Sequence, residues 1–314
     1  MSRGFDSFDL DDFRDFLPDS PREKPQRPEY PEEREPDRGA GGTSTSEAHR
    51  DLPKSSRVGD LRDATRNVYR DREHTYSLRN SEIHALIEAG KFRVVDTNDL
   101  AKFAYAGDRD RMESDIRNLV RQGLAEERGT SILKNESRQV LTLTKKGHRL
   151  IRRQNLLSKD QAFYHGLVKP KEANHDADLY RLYQKIDGDI ERKGGRVLRV
   201  ALDYELKEKL YRKLSEAQAR NHKRLDSQKQ TFARELQLPV VQGKVVLPDM
   251  RIEYETQDGD RSRVDVELAT SHYHGNHLAE KARAGFQIYA RSQDVSGLRR
   301  IRDEREITTA ILTF

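Results

Sequence analysis

The chain contains no cysteine, which excludes disulfides and thiolate metal centres and makes the reducing cytoplasm its expected compartment. It is also poor in apolar residues. Only 34% are hydrophobic against 36% charged, too few for all 314 residues to be packed, so part of the chain is expected to stay solvated. Long hydrophobic runs are missing. No stretch approaches the ~18 apolar residues of a membrane span, and the opening MSRGFDSFDL lacks the apolar centre of a secretory signal, so no membrane partner is expected. An excess of one charge sign is nearly missing too: the net charge is +5 and the pI about 9.2, which permits an acidic partner such as nucleic acid without demanding one. The length suits two ordinary domains of ~100–200 residues each.

What is present divides the chain in three. Residues 1–70 read as a disordered tail, because stretches such as SPREKPQRPEYPEEREPDRGAGGTSTS cannot bury enough apolar surface to offset their ordering entropy. Within it, Phe5, Phe8, Leu10, Phe13, Phe16 and Leu17 stand among aspartates at a spacing that gives one apolar face if the segment turns helical on a protein partner. The alternative is an acidic end with no ligand.

Residues 75–155 carry the pattern of three helices and a hairpin. Ile83, Leu86 and Ile87 mark a first helix from Leu78 to near Gly90, and Thr97 is the expected N-cap of a second that turns Leu100, Phe103 and Ala104 inward. A third helix from Asp108 has Met112, Ile116, Leu119 and Val120 on its expected buried stripe and ends at Gly123, a left-handed cap. Leu124–Ile132 and Val140–Thr144 read as strands joined by LKNESR, and KKGHRLIRR starts another helix. This is the winged helix-turn-helix order, and RNLVRQGLAEE followed by LTLTKKGHRLI resembles such domains of bacterial regulators and replication proteins.

The resemblance implies double-stranded DNA as partner, with the third helix in the major groove and the wing on the backbone. Opposite the core stripe a helical wheel places Asp110, Arg111, Ser114, Arg117, Asn118 and Arg121, and the hairpin tip offers Lys134, Asn135 and Arg138. Arginine can pair with guanine, asparagine with adenine and lysine with phosphates. An ordinary solvated face is the competing reading.

Residues 172–314 read as an α/β domain, so the fold class is α+β with a disordered tail. HDADLYRLYQKIDGDIERK is helical, RVLRVALD alternates as a strand, and Tyr204–Leu236 is expected as one long helix. KVVLPDMRIEYET and RSRVDVELAT form a hairpin around QDGD, HLAEKARAGFQIYA reads as a helix, and EITTAILTF as the last strand. Strand alternation can bring Asp249, Asp265 and Glu267 to one face.

An aspartate after a proline on one strand and a glutamate on the next resemble the PD-(D/E)XK nuclease core, a restriction-endonuclease-like fold. The resemblance implies Asp249 and Glu267 as Mg2+ ligands, Glu205 as an accessory acid, and a lysine beside them. Ala269 stands where that lysine belongs, leaving Lys281 or Lys244 to supply it, while Gln287 and Tyr289 are further candidates for holding DNA. His272, His274 and His277 in SHYHGNH are read as surface histidines, with zinc as the alternative.

The series of a winged helix, HDADLYRLY, DYELKEKL, LPDMRIEY, VDVELAT and FQIYA resembles the replication-relaxation family over most of residues 75–292. That resemblance implies action on plasmid or mobile-element DNA in replication and relaxation. Glu-Leu-Ala departs from the Glu-Val-Asp type motif of that family, which favours a degenerate site. Three readings stay open: a non-catalytic DNA-binding replication protein, which can be a homodimer; a Mg2+-dependent nuclease or nickase; and a transcriptional regulator with a ligand pocket.

Overall fold

The computed structural model describes residues 65–133, 136–166, 170–220, 225–271 and 273–314. The Phe-rich segment, most of the expected tail, the hairpin-tip residues Lys134 and Asn135, and His272 lie outside the described residues. The fold is mixed α+β, with a three-stranded sheet, a five-stranded mixed sheet and two two-stranded ribbons among the described residues. No helix among them is long and apolar enough to cross a membrane.

The first ribbon corrects the tail boundary. β1 (Arg66–Asp71) pairs antiparallel with β2 (His74–Arg79), so the end of the expected tail is a strand. Its local sequence alternates charged and polar residues with few apolar ones, and its order comes from tertiary ion pairs: buried Asp71 meets Arg149 at 2.6 Å and Arg153 at 2.9 Å. α1 (Asn80–Phe92) follows directly, starting later than its apolar period suggests because Leu78 is buried from β2. Glu82 in its first turn accepts from the Arg79 N–H at 2.6 Å.

β3 (Val95–Asp96) leads into α2 (Thr97–Ala104), whose N-cap is Asp96 instead of Thr97; its carboxylate accepts from the N–H groups of Asn98 and Asp99. α3 (Arg109–Arg121) is capped by Asp108 and buries Met112, Ile116 and Leu119. Val120, expected in the stripe, is 41% exposed. Eight residues past Met112 it has rotated about 80° around the helix, beyond the buried arc. Gly123 takes the left-handed conformation at φ +69°. β4 (Ala125–Leu133) and β5 (Glu136–Leu143) form the hairpin, with β3 on the far edge of β5. α4 (Lys145–Arg153) packs on the hairpin base at Gly147, where a Cβ would lie 2.1 Å from the Leu124 carbonyl oxygen.

α5 (Pro170–Arg192) then leads to β6 (Arg196–Leu202). The single long helix expected after it is two, α6 (Asp203–Arg220) and α7 (Leu225–Glu235), and β7 (Val240–Val241) and β8 (Lys244–Val245) form a small ribbon. β9 (Met250–Glu255) and β10 (Arg261–Ala269) are the expected hairpin. α8 (Gly275–Arg283) ends at Gly285, and FQIYA, expected as helix, is the strand β11 (Gln287–Ala290), parallel to β10. Its alternating Phe286, Ile288 and Ala290 are buried on a sheet, which decides against the helical period. α9 (Ser292–Glu304), not anticipated from sequence, precedes β12 (Ile311–Thr313).

The five-stranded order is β12-β11-β10-β9-β6: three antiparallel strands, with α6, α7 and the β7–β8 ribbon inserted between β6 and β9, then two parallel strands reached by helical crossovers. The edge of β6 is closed by one side chain, since the Gln161 amide bonds both the N–H and the carbonyl of Val200 at 3.1 and 2.9 Å. α5 joins the helix-hairpin region to this sheet. One core cluster runs from Tyr76 through Phe92, Tyr180 and Tyr183 to Ile252 and Tyr289, so the two regions expected to have separate cores share one. Phe92 meets Tyr180 and Tyr183 with ring centroids 5.3 and 5.0 Å apart.

Candidate functional site

The hairpin β9–β10 places carboxylates as its alternation predicts. Asp249 lies just before β9, its carboxylate accepting from the Leu268 N–H at 2.8 Å and its carbonyl from the Asp203 N–H at 3.0 Å. Asp265 faces Arg251 across the strands and is consumed there: the guanidinium donates to it at 2.6 and 2.8 Å and to the carbonyls of Leu236 and Gln237. That leaves Asp249 and Glu267.

Glu267 is 1% exposed, and its two oxygens are treated differently. Oε1 accepts from Lys281 Nζ at 2.8 Å and from the Tyr273 hydroxyl, whereas Oε2 is buried with no hydrogen-bond partner. Lys281 also donates to the Leu247 carbonyl at 2.7 Å, which ties α8 to the strand-leading segment before Asp249. The cation beside Glu267 is thus contributed by α8. At the other side His175, on the first turns of α5, places Nε2 3.5 Å from Asp249 Oδ1.

Electrostatics separates the two carboxyls. Burial pushes Glu267 up to about 7, with Asp249 adding to the shift and Lys281 and Tyr273 opposing it. Burial would raise Asp249 as well, but His175, Lys281 and the Leu268 N–H together hold it below the ordinary carboxylate range. For His175 burial favours the neutral ring, yet Asp249, Asp176 and Asp203 outweigh it and raise its pKa to about 9. The neighbouring Asp176 is 1% exposed, with neither oxygen hydrogen-bonded; burial lifts it to about 7 despite Arg93, whose Nη1 is 3.9 Å away. Arg93 sits at φ +67°, with its guanidinium over the Tyr204 ring at 3.9 Å, and Tyr204 donates to Glu172 at 3.1 Å. Charge is thus concentrated where α5 meets the end of β6 and the start of β9.

Other expected members are elsewhere. Glu205 is held by Arg199 and by Lys209 at 2.5 Å, and it is Asp203 of α6 whose backbone N–H bonds the Asp249 carbonyl. Two residues further along the helix the side chain has rotated about 200° from Asp203, which explains the difference. Lys244 is exposed on β8. Gln287 and Tyr289 belong to β11 and line a groove of about 390 Å³ with Ile186, Tyr254, Val264 and Leu312, on the α5 face of the sheet. His274 and His277 are exposed, and the His277 ring stacks on Tyr273 at 4.6 Å. Among the described residues, no group of three or more His, Asp or Glu side chains is arranged to hold a metal ion.

The expected reading face is partly free. Ser114, Arg117 and Arg121 are exposed along α3, and Arg111 is half-buried. Asn118 is engaged internally, donating to Glu82 at 2.6 Å, where Arg66 also binds. Arg138 is not at the hairpin tip. It is 5% exposed and bonds Asp96 at 2.5 Å, Asp178 at 3.0 Å and the Asn174 carbonyl at 3.2 Å. On β5 it shares a face with Val140, which packs on Ala173 and Ala177 of α5, so its side chain points into the protein.

Sequence reasoning missed His175, Asp176, Arg93 and Tyr273 as members of the site. One signal was available: Asp176 falls on the α5 stripe defined by Ala173, Tyr180 and Tyr183, where a carboxylate is out of place. No protein-family model matches the chain, and no curated protein is significantly similar to it.

Proposed function

We propose that the chain is a double-stranded DNA-binding protein whose helix-hairpin region is a winged helix-turn-helix, and that it cuts DNA at a PD-(D/E)XK-type centre made by Asp249, Glu267 and Lys281. The observation that carries the reading is the convergence of these three side chains, with Lys281 2.8 Å from Glu267 although it lies outside the motif position. The three antiparallel strands β6, β9 and β10, followed by α8 and the parallel strand β11, also suit that nuclease core, with α6, α7 and the β7–β8 ribbon inserted between β6 and β9. The replication-relaxation resemblance gives the setting, in plasmid or mobile-element DNA.

The residues fit a hard divalent cation. Two carboxylates converge, and Glu267 Oε2 is buried without a partner. Mg2+ commonly takes only one or two carboxylates and completes its shell with waters and substrate phosphate. Asp249 and Glu267 would hold it, and it would supply charge to the scissile phosphate and acidify a water. The chain's own groups do the rest. Lys281 orients Glu267 and brings a cation beside the reacting phosphate; His175 balances Asp249 at the more open side; Arg117 and Arg121 hold the duplex.

A second reading, a non-catalytic DNA-binding protein, is favoured by one feature: Lys281 and His175 already compensate both carboxylates. Nicking of supercoiled plasmid with Mg2+ or Mn2+ separates the two. Cutting by the wild type that is lost in Asp249→Ala, Glu267→Ala and Lys281→Ala is the expected result. Duplex binding without cutting by the wild type supports the second reading.

A further inference from the structure

We propose that Tyr273 is a positioning residue of this centre, holding the Glu267 carboxylate so that Oε2 is the oxygen presented to a divalent cation. The inference rests on the nuclease reading above and adds to it the device that orients the ligand.

A glutamate on a strand can rotate its carboxylate and exchange its two oxygens, because the terminal torsion is broad. Here both donors choose the same oxygen. Lys281 approaches Oε1 from α8 and the Tyr273 hydroxyl approaches it from the β10–α8 turn, leaving Oε2 buried and unpartnered. A buried acceptor with no donor costs about 1–3 kcal/mol, and rotation would share the donors between the oxygens, so the arrangement needs a lock.

The local chain supplies it. After Ala269 the backbone turns tightly, with the Tyr273 N–H bonded to the Thr270 carbonyl at 3.0 Å, which returns the phenol over Glu267. The His277 ring lies flat against that phenol, with an interplanar angle of 8° and centroids 4.6 Å apart. Lys281 is anchored independently on the Leu247 carbonyl. Two fixed donors at one oxygen define the carboxylate plane. Outer-shell partners of metal ligands act in this manner, and their loss typically lowers metal affinity about 10–100-fold.

The test is Mn2+ binding by the full-length protein, read by titration calorimetry and Mn2+ paramagnetic resonance. The expected result is binding by the wild type, abolished by Glu267→Gln and weakened about tenfold or more by Tyr273→Phe. His277→Ala, which removes the ring stacked on Tyr273, shifts affinity in the same direction and decides the matter if Tyr273→Phe melts. Nicking by Tyr273→Phe is expected to recover its maximal rate at raised Mn2+, since the defect is in holding the ion. Wild-type binding lost in Glu267→Gln but unchanged in Tyr273→Phe overturns this inference and spares the nuclease reading. No Mn2+ binding by the wild type overturns both.

Discussion

Replacing Asp176 with asparagine is expected to stabilise the protein, and to do so more at pH 8 than at pH 5. Asp176 is 1% exposed, has no hydrogen-bond donor to either oxygen, and carries a carboxyl raised from 3.8 to about 7 mainly by burial. The folded state therefore holds a proton that the unfolded chain releases, and stability falls as pH climbs from about 3.8 to about 7. One pKa unit is about 1.4 kcal/mol, so the full penalty approaches about 4 kcal/mol, of which roughly 2–3 kcal/mol accrues between pH 5 and pH 8. Asparagine keeps the shape and removes the titration. His175, raised from 6.5 to about 9, also costs stability as pH climbs above 6.5, but its main partner Asp249 is present in both proteins, so most of that loss is common to wild type and variant and cancels in the comparison. For a unit of this size about 1 kcal/mol moves Tm by roughly 2–4 °C, so the gain from Asp176→Asn should grow by roughly 5–10 °C between the two pH values. Melting followed by circular dichroism at pH 5 and pH 8 measures it. An equal shift at both pH values, or a loss at pH 8, would falsify the account of Asp176 as a buried charge with inadequate pairing.

Two further outcomes concern the helix-hairpin region. Arg138→Met leaves Asp96 buried without its cation, whereas Asp178 keeps Arg291, and should cost about 3–5 kcal/mol in urea unfolding, while duplex affinity of the folded variant stays unchanged; a selective loss of DNA binding would restore Arg138 to the interface. Arg117→Ala with Arg121→Ala should weaken duplex binding and lower the salt slope by about 2, since both arginines are exposed on α3; an unchanged slope in a salt titration would remove this face from the contact.

Legibility from sequence followed the physics of each segment. The stripe of Met112, Ile116 and Leu119, the cap at Gly123 and the strand alternation of Val264, Val266 and Leu268 depend on periods of 3.6 and 2, and these were readable. FQIYA was not, because a four-residue strand gives too few repeats to separate the two periods. The β1–β2 ribbon was invisible for another reason: Asp71 is ordered by arginines almost eighty positions away. The same distance effect hid Arg138, whose three acceptors come from the end of β3 and from α5. Strand alternation can bring Asp249 and Glu267 to one face, but it leaves Lys281 and Lys244 as equal candidates for the lysine, and Glu205, expected with them, is held by Arg199 and Lys209 instead. His175 and Tyr273 enter through the packing of α5 and the turn after β10, which no local pattern encodes.

The placement of α5 gives those hidden contacts a common consequence. Asp178 on this helix takes Arg138 from the hairpin and Arg291 from the start of α9, at 3.0 and 2.8 Å, and Asp99 of α2 takes Arg181 one turn later at 2.9 Å. Less than one helical turn before Asp178 stand His175, beside Asp249, and Asp176, beside Arg93 at the end of α1. Buried ion pairs of this kind add little net stability over an apolar contact, but they tolerate only one relative setting of the charges. A rotation of α5 that freed Arg138 would also carry His175 away from Asp249, since one rigid helix bears both. On the proposed function, a duplex pressed on α3 and the hairpin acts on the same helix that balances the charge of the cutting centre. The buried, poorly paired Asp176 is the expected cost of placing that junction there, and the stabilised Asp176→Asn protein should nick more slowly than the wild type for this reason.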